Sequence, residues 1–178
     1  MRLAVLTISD AGARGERADT SGDAIVAWAR ARGDVLAARA LVPDESAIIV
    51  TRLVEWCDAD VADVVLTTGG TGLSPRDVTP EATLAVADRV LPGFGEQMRF
   101  NNLRYTPTAI LSRQEAVIRK HALIINLPGQ PKAIRETLDG IFAAVPYCVD
   151  LIGGPYIETR PDRIQAFRPK SAQRPASP

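Results

Sequence analysis

The chain has 178 residues, of which 46% are hydrophobic, and this length and composition fit one well-packed domain. Its 21 basic and 21 acidic side chains cancel, so the overall charge gives no bulk attraction to nucleic acid or to anionic lipid. The single histidine, His121, excludes a multi-histidine metal centre, and Cys57 and Cys148 lie too far apart in sequence to form a CxxC pair.

Apolar segments of the chain are too short to cross a membrane, since none approaches the roughly 20 residues that a spanning helix needs. The first apolar run is interrupted at Ser9 and Asp10, before the core of a signal peptide is complete. We therefore expect reduced cysteines and a cytoplasmic location. Neither nucleic acid nor a membrane is an expected partner.

Strands and helices alternate along the first half of the chain. Hydrophobic patterning predicts strands at residues 2–9, 35–42 and 63–68, and helices at residues 21–32 and 45–58. Gly33 stands where a helix C-cap is expected. This alternation is typical of an α/β fold with a mainly parallel sheet.

The second half continues with helices and two further strands. Thr79 and Pro80 predict a helix start, with the threonine as N-cap and the proline as first helical residue. The remaining predictions are helices at residues 96–104, 132–138 and 141–151, and strands at residues 116–120 and 122–126. We expect one domain over residues 1–155 and a C-terminal tail over residues 156–178, rich in Pro, Arg and Ser, that frays at its end.

Four of the predicted strands end in polar or glycine-containing loops. These loops are Ser9-Asp10, Pro43-Asp44, residues 69–77 and residues 126–129. Because the carboxyl ends of parallel strands meet at one edge of a sheet, and α/β proteins bind ligands there, we expect the site at this edge.

The segment GGTG at residues 69–72, called the glycine loop below, is a candidate phosphate site. Glycines let backbone N–H groups approach a phosphate closely, and a helix N-terminus follows. The loop is neither a P-loop nor GxGxxG, however, and an equally good interpretation is that its glycines only turn a strand into a helix.

Charged side chains around these loops have two interpretations each. Asp10, Asp44 and Asp77 could supply hard oxygen ligands to Mg²⁺ on a triphosphate. Each could instead cap a helix or order a turn, and Asp77 could pair with Arg76. Arg76 and Arg113 are candidate phosphate contacts, although such arginines usually form surface ion pairs.

The string LTTGGTGLSPRDVTPEAT at residues 66–83 resembles the signature of the Mog/MoaB family of molybdenum-cofactor biosynthesis proteins, which includes the G domain of gephyrin. The likeness extends to TISD at residues 7–10, LVPDE at 41–45, LPGFGEQMR at 91–99 and LIINLPGQPKAIRETL at 123–138. The third of these segments, with FRPKSA near the chain end, is similar to the bacterial MogA type in particular. Together the motifs cover nearly the whole chain.

This resemblance implies a fold, a reaction and a set of site residues. The fold is a three-layer α/β/α sandwich in a homotrimer, and the reaction joins molybdopterin to the adenylyl group of MgATP, with release of pyrophosphate. The product would pass to a molybdenum-insertion protein. By the same analogy Asp44 and Asp77 are the catalytic residues and hold Mg²⁺. The implied nucleotide- and pterin-binding residues are Ser9, Asp10, Gly69, Gly70, Thr71, Gly72, Ser74, Asn126, Pro128 and Gly129.

Two other functions remain open from the residues. A non-catalytic molybdopterin-binding or scaffold protein would use the same loops without transferring a nucleotide. A nicotinamide-dependent oxidoreductase is disfavoured, because the chain lacks GxGxxG and an acid placed to bind a ribose.

Overall fold

A six-stranded sheet forms the centre of the protein, seen in a computed structural model that describes residues 1–158 and 166–172. The strands are β1 (Arg2–Ile8), β2 (Val35–Val42), β3 (Val64–Thr68), β4 (Arg89–Val90), β5 (Ala116–Arg119) and β6 (Ala122–Leu127). Their order across the sheet is β2-β1-β3-β6-β5-β4. The strands β2, β1, β3 and β6 are mutually parallel, whereas β5 pairs antiparallel with both of its neighbours, β6 and β4. The predicted α/β fold with a mainly parallel sheet is confirmed.

Helices connect the strands and cover the sheet. They are α1 (Asp10–Ala13), α2 (Thr20–Ala31), α3 (Ser46–Asp58), α4 (Thr79–Ala85), α5 (Pro92–Asn102), α6 (Pro131–Ile141) and α7 (Val145–Leu151). Short 3₁₀ helices occupy Pro107–Leu111, Phe142–Ala144 and Lys170–Ala172. Across the described ranges, no helix is both long enough and apolar enough to pass through a membrane.

Each face of the sheet carries its own hydrophobic core. Successive side chains of a strand point to opposite faces, so Leu3 and Val5 of β1 enter one core while Ala4 and Leu6 enter the other. The first core is closed by α2, α5, α6 and α7, and the second by α3 and α4. The structure is therefore the three-layer arrangement that the family resemblance implies.

Local details differ from the sequence predictions at several places. Helix α5 begins at Pro92, before the predicted start at residue 96, and the 3₁₀ helix Pro107–Leu111 was not predicted. The predicted helix at residues 141–151 is divided into the end of α6, the 3₁₀ helix Phe142–Ala144 and α7. The N-cap of α4 is Val78 instead of Thr79, which is the first helical residue and whose hydroxyl donates to the Gly69 carbonyl at 2.9 Å. The four-residue helix α1 and the two-residue strand β4 lie outside the predicted elements, since segments so short carry no periodic pattern.

The described part of the C-terminal tail packs against the domain. The Phe167 amide donates to the Ala143 carbonyl at 3.0 Å, and Arg168 Nε donates to Asp150 at 2.5 Å. The Arg168 guanidinium also lies 4.2 Å from the centre of the Tyr156 ring. The predicted fraying falls on residues 173–178, which lie outside the described residues, as do residues 159–165. The division at residue 155 stays a prediction.

Candidate active site at the carboxyl edge of the sheet

The four parallel strands deliver their following loops to one edge of the sheet. β1 runs into Ser9, β2 into Asp44, β3 into the glycine loop and β6 into Pro128 and Gly129. A small cavity of about 120 Å³ lies among the loops that follow β1, β3 and β6. Its lining includes Thr7, Ser9, Asp19, Gly69 and Gly129. The structure thus brings together most of the loops that the sequence placed at this edge.

Glycine is required at the first two positions of the glycine loop. Gly69 and Gly70 have φ angles of +97° and +63°, in the left-handed region that side chains disfavour. A Cβ atom on Gly69 would collide with the Ile8 carbonyl oxygen, and one on Gly70 would collide with the Thr79 hydroxyl. The loop therefore passes directly against the end of β1 and the start of α4.

Carbonyl oxygens of the glycine loop all point toward protein donors. The hydrogen bonds run from Thr79 Oγ1 to Gly69 at 2.9 Å, from Thr79 N to Gly70 at 3.1 Å, from Arg113 N to Thr71 at 3.0 Å and from Arg113 Nε to Gly72 at 2.8 Å. In a trans peptide the next N–H points opposite to the carbonyl. The amides of Gly70, Thr71 and Gly72 accordingly donate to no acceptor among the described residues. Such a row of free amides suits an anionic ligand.

Asp10 and Asp44 are joined by two hydrogen bonds, in each of which the carboxylate of one residue accepts from the backbone amide of the other. Asp44 Oδ2 accepts from the Asp10 amide at 2.7 Å, and Asp10 Oδ1 accepts from the Asp44 amide at 3.0 Å. Arg76 donates to the Asp10 carboxylate through Nε and Nη2, at 3.0 and 2.8 Å. These bonds from Arg76 hold the pKa of Asp10 below its usual value. Arg76 therefore pairs with Asp10 and not with Asp77.

The Asp44 carboxylate is half-buried and faces the glycine loop. Its Oδ1 atom lies 3.1 Å from the position that a Cβ on Gly70 would occupy. Burial raises the pKa of Asp44, the amide of Asp10 opposes that rise, and the charge of Asp77 adds to it. Asp44 thus lies in a partly desolvated position where an additional positive charge would be stabilising.

Asp77 faces the same loop from the following turn. Its Oδ2 atom accepts from the Ser74 amide at 2.8 Å and lies 3.0 Å from the Cβ position of Gly72. The Ser74 hydroxyl accepts from the Arg76 amide at 3.3 Å. Asp44 and Asp77 therefore place their carboxylates against two residues of one short loop.

These two carboxylates fit a magnesium ion that also contacts phosphate. Mg²⁺ is commonly held by one or two carboxylates together with the phosphates of a substrate. Asp44 and Asp77 supply that donor set beside free backbone amides, whereas the Asp10 carboxylate is already bonded to Arg76 and to the Asp44 amide. Among the described residues, no three His, Cys, Asp or Glu side chains form a metal-binding group.

Asn126 lies beneath the loops of this edge, inside the core. Its side chain is fully buried, and its amide donates to the hydroxyls of Thr67 and Thr83, each at 2.9 Å. The backbone carbonyl of Asn126 accepts from Gln114 at 3.3 Å. The side chain therefore ties β6 to β3 and α4 beneath the loops, while its Oδ1 atom has no hydrogen-bond partner among the described residues. Its place among the nucleotide- and pterin-binding residues stays a prediction.

The remaining predicted residues lie at the edge with defined local roles. Ser9 caps α1 by accepting from the Gly12 amide at 3.1 Å. The Pro128 carbonyl accepts from the Thr68 hydroxyl at 2.8 Å. A Cβ on Gly129 would lie 3.5 Å from the Gly69 Cα, so the loops after β3 and β6 are in contact.

The sequence interpretation missed one residue at this edge, Asp19, and the contacts of a second, Arg113. Asp19 lines the small cavity and accepts from Thr7, from the Gly22 amide and from Arg39. A capping signal, an aspartate directly before a helix, could have found it. The contacts of Arg113 with loop carbonyls had no such signal, because carbonyl positions depend on the folded backbone and not on residue type.

Known proteins resemble this chain over nearly its whole length. Residues 4–147 match the family model described as "probable molybdopterin binding domain". The chain is 53% identical over 192 residues to the molybdopterin adenylyltransferase of Escherichia coli K12, an alignment that covers 99% of this chain and 98% of that protein. The enzyme of the same name from Haemophilus influenzae is 50% identical over 188 residues, with 98% and 95% covered. The crystal structure of the molybdopterin biosynthesis enzyme MoaB from Thermus thermophilus has a TM-score of 0.81 and 46% identity, covering 88% of this chain and 99% of that one.

Proposed function

This chain belongs to the molybdopterin-binding domain family, and we propose that it is a molybdopterin adenylyltransferase that joins molybdopterin to the adenylyl group of ATP. The observation that carries the proposal is the glycine loop, whose free amides lie beside the carboxylates of Asp44 and Asp77. Relatives that share about half of the sequence over its full length carry this activity in their names.

The proposed step needs positioning and charge stabilisation more than proton transfer. The terminal phosphate of molybdopterin attacks the α-phosphorus of ATP, a new P–O bond forms, the bond to the β-phosphate breaks, and pyrophosphate leaves. The nucleophile is already an anion, so no general base is required. The only histidine of the chain, His121, is not part of the proposed site: its Nδ1 atom lies 2.7 Å from the Ile152 carbonyl oxygen.

Two groups of the protein perform this chemistry. The free amides of the glycine loop hold the non-bridging phosphate oxygens and fix the reactants in line. Asp44 and Asp77 would hold Mg²⁺, which when bound supplies positive charge to the triphosphate and the departing pyrophosphate. A row of backbone amides at the sheet edge would let a chain with no net charge bind two anionic substrates.

The test compares Asp44→Asn and Asp77→Asn with the wild type in a single-turnover assay. Purified molybdopterin, ATP and Mg²⁺ are mixed, and the adenylylated product is identified by mass. We expect each variant to lose adenylyl transfer by about 10² or more while still binding molybdopterin, because a lost ligand removes several kcal/mol of charge stabilisation. Asp23→Asn is the matched control, since Asp23 is an exposed aspartate of α2 that pairs with Arg39.

The assay also separates the proposal from its alternative. Wild-type rates in both variants would make the two aspartates structural and the metal assignment wrong. Tight molybdopterin binding by the wild type without any ATP-dependent product would favour a non-catalytic binding or scaffold protein of the same family.

Further parts of the proposal concern assembly and cellular context. A homotrimer is supported by exposed apolar side chains concentrated between residues 100 and 111, namely Phe100, Leu103, Tyr105, Ile110 and Leu111. Cytoplasmic cofactor assembly, followed by transfer of the product to a molybdenum-insertion protein, is the context that the family resemblance implies.

A further inference from the structure

Arg113 joins the glycine loop to the turn that carries Asp77. Its Nε atom donates to the Gly72 carbonyl at 2.8 Å and its Nη2 atom donates to the Asp77 carbonyl at 2.6 Å. Its own amide donates to the Thr71 carbonyl at 3.0 Å, and Nη1 forms an ion pair with Glu81 of α4. One residue thus binds both ends of the segment from residue 71 to residue 77.

These bonds determine where the loop amides point. Each carbonyl lies in the same peptide plane as the following N–H, and the two point in opposite directions. By holding the carbonyls of Thr71 and Gly72, Arg113 directs the N–H groups of Gly72 and Leu73 away from itself. Thr79 does the same for the first half of the loop through the carbonyls of Gly69 and Gly70.

Arg113 also determines the position of the Asp77 backbone. Its guanidinium bonds the Asp77 carbonyl, while the Asp77 carboxylate is turned back to the Ser74 amide. The Arg113 side chain is 33% exposed, and three of the five N–H donors of an arginine are used here, on two carbonyls and one carboxylate. Arg113 therefore forms the ion pair that the sequence analysis named as the alternative to a phosphate contact, and adds bonds to two loop carbonyls.

We infer that Arg113 is a positioning residue for adenylyl transfer: it aims the amides of Gly72 and Leu73 at the phosphates and holds the Asp77 backbone beside them. This inference rests on the proposed function. A lysine could not replace the arginine, because an ammonium group lacks the planar fork that reaches two carbonyls and a carboxylate together.

Arg119 provides a matched structural control. It lies on β5, where Nη1 donates to the Val86 carbonyl at 3.1 Å and Nε and Nη2 bond Asp58, each at 2.9 Å. Like Arg113, it joins a carbonyl and a carboxylate of different elements, but none of its partners belongs to the glycine loop or the Asp77 turn. Loss of Arg119 therefore removes comparable contacts without touching the site.

The experiment compares the variants Arg113→Met, Arg113→Lys and Arg119→Met with the wild type. The measured quantities are kcat, the KM of MgATP, the Mg²⁺ concentration that gives half the maximal rate, and the midpoint of thermal unfolding. We expect Arg113→Met to lose about 10-fold to 100-fold in kcat and to need more Mg²⁺, because the donors and Asp77 are no longer held in place. Arg113→Lys should recover little of this loss. Arg119→Met should lower the thermal midpoint while leaving kcat and the Mg²⁺ requirement within about twofold of the wild type, since it removes no contact to the site.

Equal kinetic losses in Arg113→Met and Arg119→Met, or a full recovery by lysine, would overturn the inference. A wild-type protein that makes no adenylylated product would overturn the proposed function instead. In that case calorimetric binding of a non-hydrolysable MgATP analogue still decides the role of Arg113. Binding weakened about tenfold by Arg113→Met but not by Arg119→Met supports it, and equal binding by the two variants contradicts it.

Discussion

Gly69 is the residue on which the shape of the site depends most directly. Its φ angle of +97° and its contact with the Ile8 carbonyl leave no room for a side chain. We expect Gly69→Ala to lose roughly 3 kcal/mol of stability, since it adds a steric collision to the strain of about 1–2 kcal/mol for a left-handed conformation. Chemical denaturation measures the loss.

Gly15 is the control for this prediction. It also has a positive φ angle, +73°, but a Cβ there would meet no atom within 4 Å. Gly15→Ala should therefore cost only the conformational strain, about 1 kcal/mol. Equal losses at the two positions would mean that the collision at Gly69 is relieved by a small backbone shift.

The location of a site residue could be predicted from the sequence where it depends only on the residue's position relative to the end of a strand. Asp44 follows the edge strand β2 and the glycines follow the buried strand β3, and because both strands run parallel to β1, the sheet brings the two loops to one edge. The partner of Arg76 could not be predicted, because Asp77 is adjacent in sequence whereas Asp10 is adjacent only in the folded chain. The burial of Asn126 could not be predicted for a related reason: it lies one residue before the end of β6, where its side chain bonds Thr83 of α4 inside the core.

At the scale of elements, the helix α2 begins beside the site and is capped by the charged side chain of Asp19. The Asp19 carboxylate accepts from the Gly22 amide at 2.8 Å, from Thr7 at 2.9 Å and from Arg39 at 2.6 Å. We expect Asp19→Ala to cost about 1–2 kcal/mol at pH 7, the range for a lost N-cap. Asp23→Ala, which also loses a contact with Arg39 but no cap, should cost less.

The same cap predicts a pH dependence with a definite sign. Burial raises the pKa of Asp19, but the bonds from Arg39, Gly22 and Thr7 outweigh it and hold that pKa below its usual value. A carboxyl with a lowered folded-state pKa stabilises the fold above its unfolded pKa, and this contribution is lost as the pH falls through the folded value. The stability gap between wild type and Asp19→Ala should therefore be full at pH 7 and shrink below about pH 4. A gap that grows on acidification in urea titrations would contradict this assignment.

Most elements could be predicted because the helices carry an apolar stripe and the central strands are continuous apolar runs. β2 was predicted with its observed limits, and α3 to within one residue at its start. The order of strands in the sheet was not predicted, since β6 pairs with β3 across more than fifty intervening residues and no local pattern records that pairing. The antiparallel hairpin of β5 and β6 turns at Lys120, a non-glycine residue with a φ angle of +52°, so it lacks the glycine that usually marks such a turn.

At the scale of the whole molecule, one exposed apolar surface is typical of a subunit in an assembly and unusual for an isolated chain. Phe100 and Tyr105 are 63% and 58% exposed, and Ile110 is 63% exposed on the adjoining 3₁₀ helix. Soluble monomers rarely leave apolar side chains clustered in this way, whereas a stable interface buries about 800 Å² on each partner and has an apolar centre. The helices α5 and Pro107–Leu111 therefore form the surface on which the proposed trimer would assemble.

A charge at the centre of this surface should separate the subunits. We expect the wild type to sediment at three times the chain mass of 19.1 kDa and Ile110→Glu to sediment at that chain mass, because a carboxylate cannot be buried in an apolar contact without a partner. Leu151→Glu is the control: Leu151 is 67% exposed at the end of α7, outside this surface, so that variant should keep the wild-type mass. A wild type that sediments as a single chain at micromolar concentrations would refute the trimer. Dissociation by Leu151→Glu with an intact Ile110→Glu trimer would instead move the interface to α7.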